Sequence, residues 1–356
     1  MPAEWGDIQP VEIQGAVNGP LAFGDSNLRV KGLSADSRTV KEGELFWALK
    51  GEKYDGHDFI VKALELGAVG AVLGKQEWDL RPEIEEVFKG RFKSKIALLV
   101  KDTTTALGDF AGWWREKHNT EVIAVTGSAG KTTTKEITAA ILSRKWEILK
   151  TKGNFNNLIG LPLTILSMKT GHEKAVLEMG MNKAGEIKRL TEIANPDLGL
   201  ITNVGMAHLE GLGDLSGVAR AKAEMAEQMS PKALIVINGD DSILRETVSE
   251  FRKDLVTFGL RNDSDFYACD IRDFGLDGVK FDIVHKKGKF SVKINTPGSH
   301  SVINALAAAA VGLCLDVSEE DVVSGLESFS GIDGRFNIIK MPGNRVVIDD
   351  TYNSNP

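Results

Sequence analysis

Residues 122–136 read VIAVTGSAGKTTTKE: an apolar β-branched run, a glycine turn, a lysine followed by three threonines, then helix-forming residues. A buried strand running into such a turn and out into a helix makes an anion cradle. Successive backbone N–H groups of the turn and of the helix N-terminus converge on one point. Gly127 and Gly130 allow close backbone approach because they carry no Cβ. In that setting Lys131 reaches β- and γ-phosphates and the Thr132 hydroxyl reaches Mg²⁺, with Ser128, Ala129 and Thr133 completing the loop. The strict pattern G-x-x-x-x-G-K-[ST] fails at its first position, where Val125 stands. What remains, T-G-x-x-G-K-T-T, draws its weight from the strand before it and the helix after it. The plain alternative is an ordinary strand–turn–helix connection with an exposed lysine.

Outward from this loop, strands and helices alternate. Strands are predicted at 122–125, 174–177, 198–202 and 233–237, with helices at 131–144, 185–194 and 218–229. That alternation predicts a doubly wound, mostly parallel sheet. Residues 256–297 switch to short alternating runs (VKFDIVH, KFSVKINT) and predict an antiparallel appendage. An alanine-rich helix is expected over 301–315. Before the loop, LFWAL (45–49), DFIVKALELG (58–67) and 68–73 predict a smaller α/β unit, and 101–118 another helix. The domain expectation is 1–100, 101–335 and 336–356, the last a unit begun and not finished.

The bulk properties exclude several classes. At 356 residues the chain exceeds one ordinary domain, and 42% hydrophobic with 26% charged residues fits a water-soluble protein. A net charge of −7 gives no basic footprint for nucleic acid. No apolar run reaches the roughly 18 residues of a membrane span, and residues 1–10 lack a signal-peptide pattern. The two cysteines suit a reducing, cytoplasmic setting.

Further candidates lie at predicted strand ends. Glu178 closes KAVLE, where open α/β sheets bind ligands, and reads either as a solvated strand end or as an acidic metal ligand. His208 follows LGLITNVG in a glycine-flanked loop and reads as structural or as a second metal ligand. Lys222, in ARAKAEM, reads as a surface lysine on an amphipathic helix. Asn156 and Asn157, in GNFNNLIG, either satisfy a loop backbone or bind substrate. Asn304 opens the alanine-rich helix, polar side outward, and Arg335 is a hinge charge or a phosphate contact.

These motifs, in this order, resemble the Mur ligase family, the ATP-dependent enzymes that build the peptide stem of bacterial cell-wall precursors. The resemblance rests on ADSRTVKEGELFWALKGEKYDGHDFI, VTGSAGKTTTKE, GNFNNLIGLPLTIL, LEMGMNKAGEI, ITNVGMAHLEGLG, ARAKAEM, INGDD, GSHSVINALAAAA, GRF and DDTYNSNP. It implies a UDP-sugar-binding first domain, a third, Rossmann-like domain that residues 336–356 only begin, and ATP and Mg²⁺ as cofactors. Lys131 would meet the β/γ-phosphates, Thr132 and Glu178 one Mg²⁺, and His208 the second. Lys222 would become a metal-bridging carbamate. Asn304 would bond adenine, Arg335 the terminal phosphate, and Asp350 the nucleotide after domain closure. Ser37 and Arg38 would hold the UDP moiety, and Asn156 and Asn157 the muramoyl-peptide side. TGSAGKTTTKE, EMGMNKAGEI and DDTYNSNP resemble the branch that joins D-Ala-D-Ala to a UDP-MurNAc-tripeptide, more than the branch that adds the third residue. A monomer acting on small molecules is expected. Because the chain stops at Pro356, inside a third-domain motif, it is expected to bind nucleotide without completing ligation. A GTPase would need N-K-x-D, and the nearest string, Asn182-Lys183-Ala184-Gly185, lacks the aspartate.

Overall fold

A computed structural model describes residues 5, 8–206, 209–342 and 345–352. The chain forms two compact units, residues 1–119 with 158–170, and residues 120–157 with 171–356.

In the first unit, helices α1 (Pro10–Val17), α2 (Ile60–Glu65), α3 (Lys75–Leu80), α4 (Pro82–Lys89) and α5 (Thr103–Glu116) accompany strands β1 (Leu21–Phe23), β2 (Gly32–Ser34), β3 (Glu44–Trp47), β4 (Gly70–Gly74) and β5 (Ile96–Val100). The sheet order is β1-β5-β4-β3-β2, parallel except for β1. The predicted helix at 58–67 is shorter, because a 3-10 turn at Gly56–Phe59, capped by Asp55, takes its first residues. The first unit also extends past residue 100. Helix α5, capped by Asp102 and burying Leu107, Phe110, Ala111 and Trp114, belongs to it. So does α7 (Gly160–Ile165), in a segment that returns from the second unit. Trp5 and Trp114 fasten that segment by donating their indole N–H groups to the carbonyls of Leu166 and Met168. Each large aromatic buried there is worth about 1.5–3 kcal/mol in area alone, which explains why the boundary follows packing and not the first change of texture.

The second unit holds β6 (Glu121–Thr126), α6 (Lys131–Leu142), β7 (Ile148–Lys150), β8 (Lys174–Glu178), α8 (Glu186–Ala194), β9 (Leu198–Ile201), α9 (Leu209–Leu212), α10 (Leu215–Gln228), β10 (Leu234–Asn238), α11 (Ser242–Ser249), β11 (Leu255–Gly259), β12 (Phe266–Asp273), β13 (Val279–His285), β14 (Gly288–Ile294), α12 (Ser299–Cys314), α13 (Glu319–Ser328), β15 (Asn337–Met341) and β16 (Arg345–Asp349). Among the described residues a nine-stranded sheet runs β14-β13-β12-β11-β10-β9-β6-β8-β7. The stretch from β12 to β14 is antiparallel as expected, but it continues the main sheet instead of forming an appendage. Its inward residues Val279, Phe281, Ile283, Val292 and Ile294 join the core built with α6, α12 and α13.

Helices cover both faces. Ile123, Val125, Val176, Leu198, Leu200 and Val236 point into the core shared with α6, α12 and α13. On the opposite face the missing side chain of Gly199 makes room for the sulfurs of Met225 and Met229. Strands β15 and β16 form a separate antiparallel hairpin on which Ile339, Met341, Val346, Val347 and Ile348 are exposed. No helix among the described residues is long and apolar enough to cross a membrane.

Candidate active site

The central parallel strands β6, β8 and β9 end at one edge, and Gly127, Gly130, Lys131, Asn156, Glu178 and Asn304 collect there. Gly130 begins α6 in the left-handed region at φ 77, and no side chain caps the helix, so its first N–H groups face outward. A Cβ on Gly127 would collide with Thr202 Oγ1, and one on Gly130 with Asn304 Oδ1. Both glycines are therefore required by close approach as well as by conformation.

The loop is held from β9. Asn203 Oδ1 accepts from the Ala129 N–H at 2.9 Å, and its Nδ2 donates to the Ala129 carbonyl at 3.1 Å. The Thr202 hydroxyl donates to the same carbonyl at 2.7 Å, and Ser128 Oγ exchanges bonds with the backbone of Gly205. Neither Thr202 nor Asn203 stood out in the sequence, although a polar pair directly after a strand at this edge was a usable signal.

Lys131 folds back over the loop and donates to the carbonyls of Gly127 (2.7 Å) and Ser128 (3.4 Å). Burial holds its ammonium below the ordinary pKa of a lysine, with Glu178 opposing that shift and Arg335 adding to it. Thr132 is buried on the first turn of α6. Glu178 is 2% exposed at the end of β8. Its Oε1 accepts from Asn156 Nδ2 at 2.8 Å, while Oε2 is buried without a partner among the described residues. An ionised oxygen in that state costs free energy unless a cation or donor completes it.

Lys222 corrects the surface reading. It is 2% exposed, and burial first, then the nearby Lys131, pulls its pKa down to about 7. Neither cause of that shift is a counter-ion, and no hydrogen bond to its ammonium is found among the described residues. Asn304 is likewise buried, not polar side outward: its Oδ1 accepts from the Thr134 hydroxyl at 3.3 Å beside Gly130. Asn157 is exposed. His208 lies outside the described residues.

At the start of the terminal hairpin, the Arg335 guanidinium lies 4.1 Å from the ring centroid of Tyr352. Asp350 Oδ1 accepts the Phe336 N–H at 3.1 Å, and Asp349 accepts the Gly334 N–H at 3.1 Å. In the first unit Ser37 is buried, and the exposed Arg38 forms a two-bond pair with Asp36, whose carboxyl this pairing holds at about 2.

Comparison with known proteins gives this geometry a family. The Mur ligase middle domain matches residues 125–312, and the Mur ligase family catalytic domain matches residues 29–112. This chain belongs to the Mur ligase family. The UDP-N-acetylmuramoyl-tripeptide–D-alanyl-D-alanine ligase of Haemophilus influenzae is 37% identical over 94% of this chain and 70% of its own length. The crystal structure of MurF from Acinetobacter baumannii superposes with a TM-score of 0.86 at 33% identity, covering 100% of this chain and 74% of that one. MurF from Thermotoga maritima, solved in complex with ADP, gives 0.78 at 31% identity over 90% of this chain and 71% of that one.

Proposed function

We propose that the chain is the nucleotide-handling part of an ATP-dependent ligase that joins D-Ala-D-Ala to a UDP-MurNAc-tripeptide through an acyl phosphate. The observation that carries this reading is the convergence of an uncapped helix N-terminus, the half-buried Lys131 and the half-satisfied Glu178 at one sheet edge. A carboxylate is a poor electrophile. Transfer of the γ-phosphoryl group to it creates a leaving group, which an amine then displaces as inorganic phosphate.

The reaction must first bring a carboxylate and a triphosphate together. Lys131 lowers that repulsion, and the loop N–H groups hold the phosphates in line. Thr132 and Glu178 fit Mg²⁺, because both offer oxygen and Glu178 Oε2 lacks a partner among the described residues. His208 and Lys222 are assigned to the second ion. Bound there, Mg²⁺ would neutralise developing phosphate charge. A lysine titrating near 7 is substantially neutral at physiological pH, the form that takes up CO₂ as a carbamate and turns a buried cation into an oxygen donor. Arg335 and Asp350 are assigned to the terminal phosphate and nucleotide, Asn304 to adenine, Asn156 and Asn157 to the peptide side, and Ser37 and Arg38 to UDP. Residues 336–356 are assigned to the start of a third domain.

The test is thermal-shift titration of the chain with ATP, GTP and UDP-MurNAc-peptides. Stabilisation by ATP and by the UDP-MurNAc-tripeptide supports the reading. Stabilisation by the dipeptide form in place of the tripeptide would assign the chain to a sister reaction, and a preference for GTP would sink both.

A further inference from the structure

Lysine is almost never fully buried unless it is paired. Lys135 has no exposed surface, and the chemistry above does not use it. It lies on α6, one turn past Lys131. Its ammonium donates to the Thr151 carbonyl at 2.7 Å and pairs with Glu136 Oε1 at 2.7 Å. Burial raises the Glu136 pKa, but bonds from Lys135 and Lys150 outweigh it and hold the carboxyl below its ordinary value.

Thr151, the first residue past β7, is also fully buried. Its hydroxyl oxygen accepts the Glu178 N–H at 3.0 Å. Five residues on, Asn156 donates to Glu178 Oε1 at 2.8 Å, and its carbonyl accepts the Gly180 N–H at 2.7 Å. Glu178 is thus gripped at its backbone by Thr151 and at one carboxylate oxygen by Asn156, both from the segment that leaves β7. The carbonyl of Thr151 is held by Lys135. The helix that leaves the phosphate loop therefore fixes the acidic strand end across from it.

Stability alone gives little reason for this arrangement. A buried ion pair is often no better than well-packed apolar side chains of the same volume, and Lys150 already neutralises Glu136 from the exposed side. We propose that Lys135 is a positioning residue that acts through Thr151 and Asn156 to aim Glu178 Oε2 at the cation accompanying the nucleotide. This rests on reading Glu178 as a cation ligand.

The test is Mn²⁺ binding to the chain in the presence of ADP, followed by electron paramagnetic resonance. Lys135→Met should weaken Mn²⁺ about tenfold, as loss of support behind a ligand does, while metal-free ADP affinity stays at the wild-type value. Lys135→Arg should restore binding to within about threefold, because it still donates to the carbonyl. Lys150→Ala, whose ammonium pairs only with Glu136 among the described residues, should leave Mn²⁺ binding unchanged. Wild-type Mn²⁺ affinity in a Lys135→Met protein that binds ADP normally overturns the proposal. If that variant does not fold, Thr151→Val, which removes the acceptor of the Glu178 N–H, decides in its place by the same criterion. Wild-type Mn²⁺ affinity in Glu178→Gln would instead overturn the underlying assignment of Glu178.

Discussion

Two parallel sheets in this molecule end in clusters of charged residues, and the clusters differ in one respect. Past β3 and β4 of the first unit, Asp55, His57, Glu77, Arg81 and Lys50 come together. His57 Nδ1 lies 2.5 Å from Asp55 Oδ1, and His57 Nε2 accepts the Gly74 N–H at 2.9 Å. Arg81 donates to Asp55 at 2.7 Å, and Lys50 to Glu77 at 3.2 Å. Because Nε2 accepts, the ring proton sits on Nδ1 and points at Asp55. Three of these side chains have the proximity of a metal site, yet each already holds a partner, Asp55 with His57 and Arg81 and Glu77 with Lys50. At the sheet edge of the second unit, Glu178 Oε2 lacks a partner and Lys222 is buried without a counter-ion, both among the described residues. A saturated cluster holds a fold together. An unsaturated one stores a cost that a ligand relieves.

The largest expected effect breaks the second cluster at its centre. Lys131→Ala should weaken ATP binding by at least about a hundredfold, or ~2.7 kcal/mol, by removing the cation assigned to the β- and γ-phosphates. Calorimetric titration with ATP measures it, and a loss under threefold would remove Lys131 from the phosphate site. Thermal stability should not fall with it, since the residue's burial already depresses its protonated form.

Next comes the stored cost of Lys222. Its folded pKa of about 7 lies below the ordinary value of 10.5. Between those values the unfolded chain binds more protons than the folded one, so stability should rise with pH, by up to about 1.4 kcal/mol per pH unit. Below pH 7 the full penalty applies. Denaturant titrations in metal-free, CO₂-depleted buffer should show that slope between pH 7 and 10. Lys222→Met should flatten it and be the more stable protein at pH 6.5. An unchanged slope would mean that the ammonium finds a partner in solution.

The saturated cluster should behave in the opposite way. His57→Ala leaves the Gly74 N–H without its acceptor and takes one of two donors from Asp55 Oδ1, which keeps the backbone N–H of residue 57, a cost of roughly 1–3 kcal/mol. The first thermal transition should fall accordingly, with ADP affinity unchanged. A change in nucleotide binding larger than the stability loss would contradict the assignment of this cluster to structure.

How much of this was readable beforehand follows from what each residue depends on. The phosphate loop depends on local order, strand then glycines then helix, and the sequence displays it directly. Glu178 follows from a strand end. The burial of Lys222 depends on which helix face packs inward, and that signal was present: Val218, Lys222, Met225 and Ala226 fall on one stripe at helical spacing, all buried. Reading the lysine by its charge instead of its place in the stripe hid it. Lys135 and Thr151 are 16 residues apart, and only the fold makes them neighbours. The same holds for the 158–170 segment, whose indole anchors lie 161 and 54 residues upstream.

The smallest expected effect sharpens the comparison, because it concerns a saturated contact inside the unsaturated cluster. Asn203 spends both its amide groups on Ala129, as a purely structural residue would. Yet what it holds is the loop itself. In Asn203→Ala the Thr202 hydroxyl still binds the Ala129 carbonyl, so the loop should fold but sample more conformations before ligand arrives. Ordering it on binding should weaken ADP about tenfold, near 1.4 kcal/mol, and shift the melting temperature of the ligand-free protein by only a few degrees. Calorimetric titration with ADP separates the two quantities. If stability falls by more than affinity does, Asn203 belongs with His57 among the fold-holding contacts. If affinity falls alone, the line between the two clusters runs through single residues, and a fully bonded side chain still serves the site by what it keeps still.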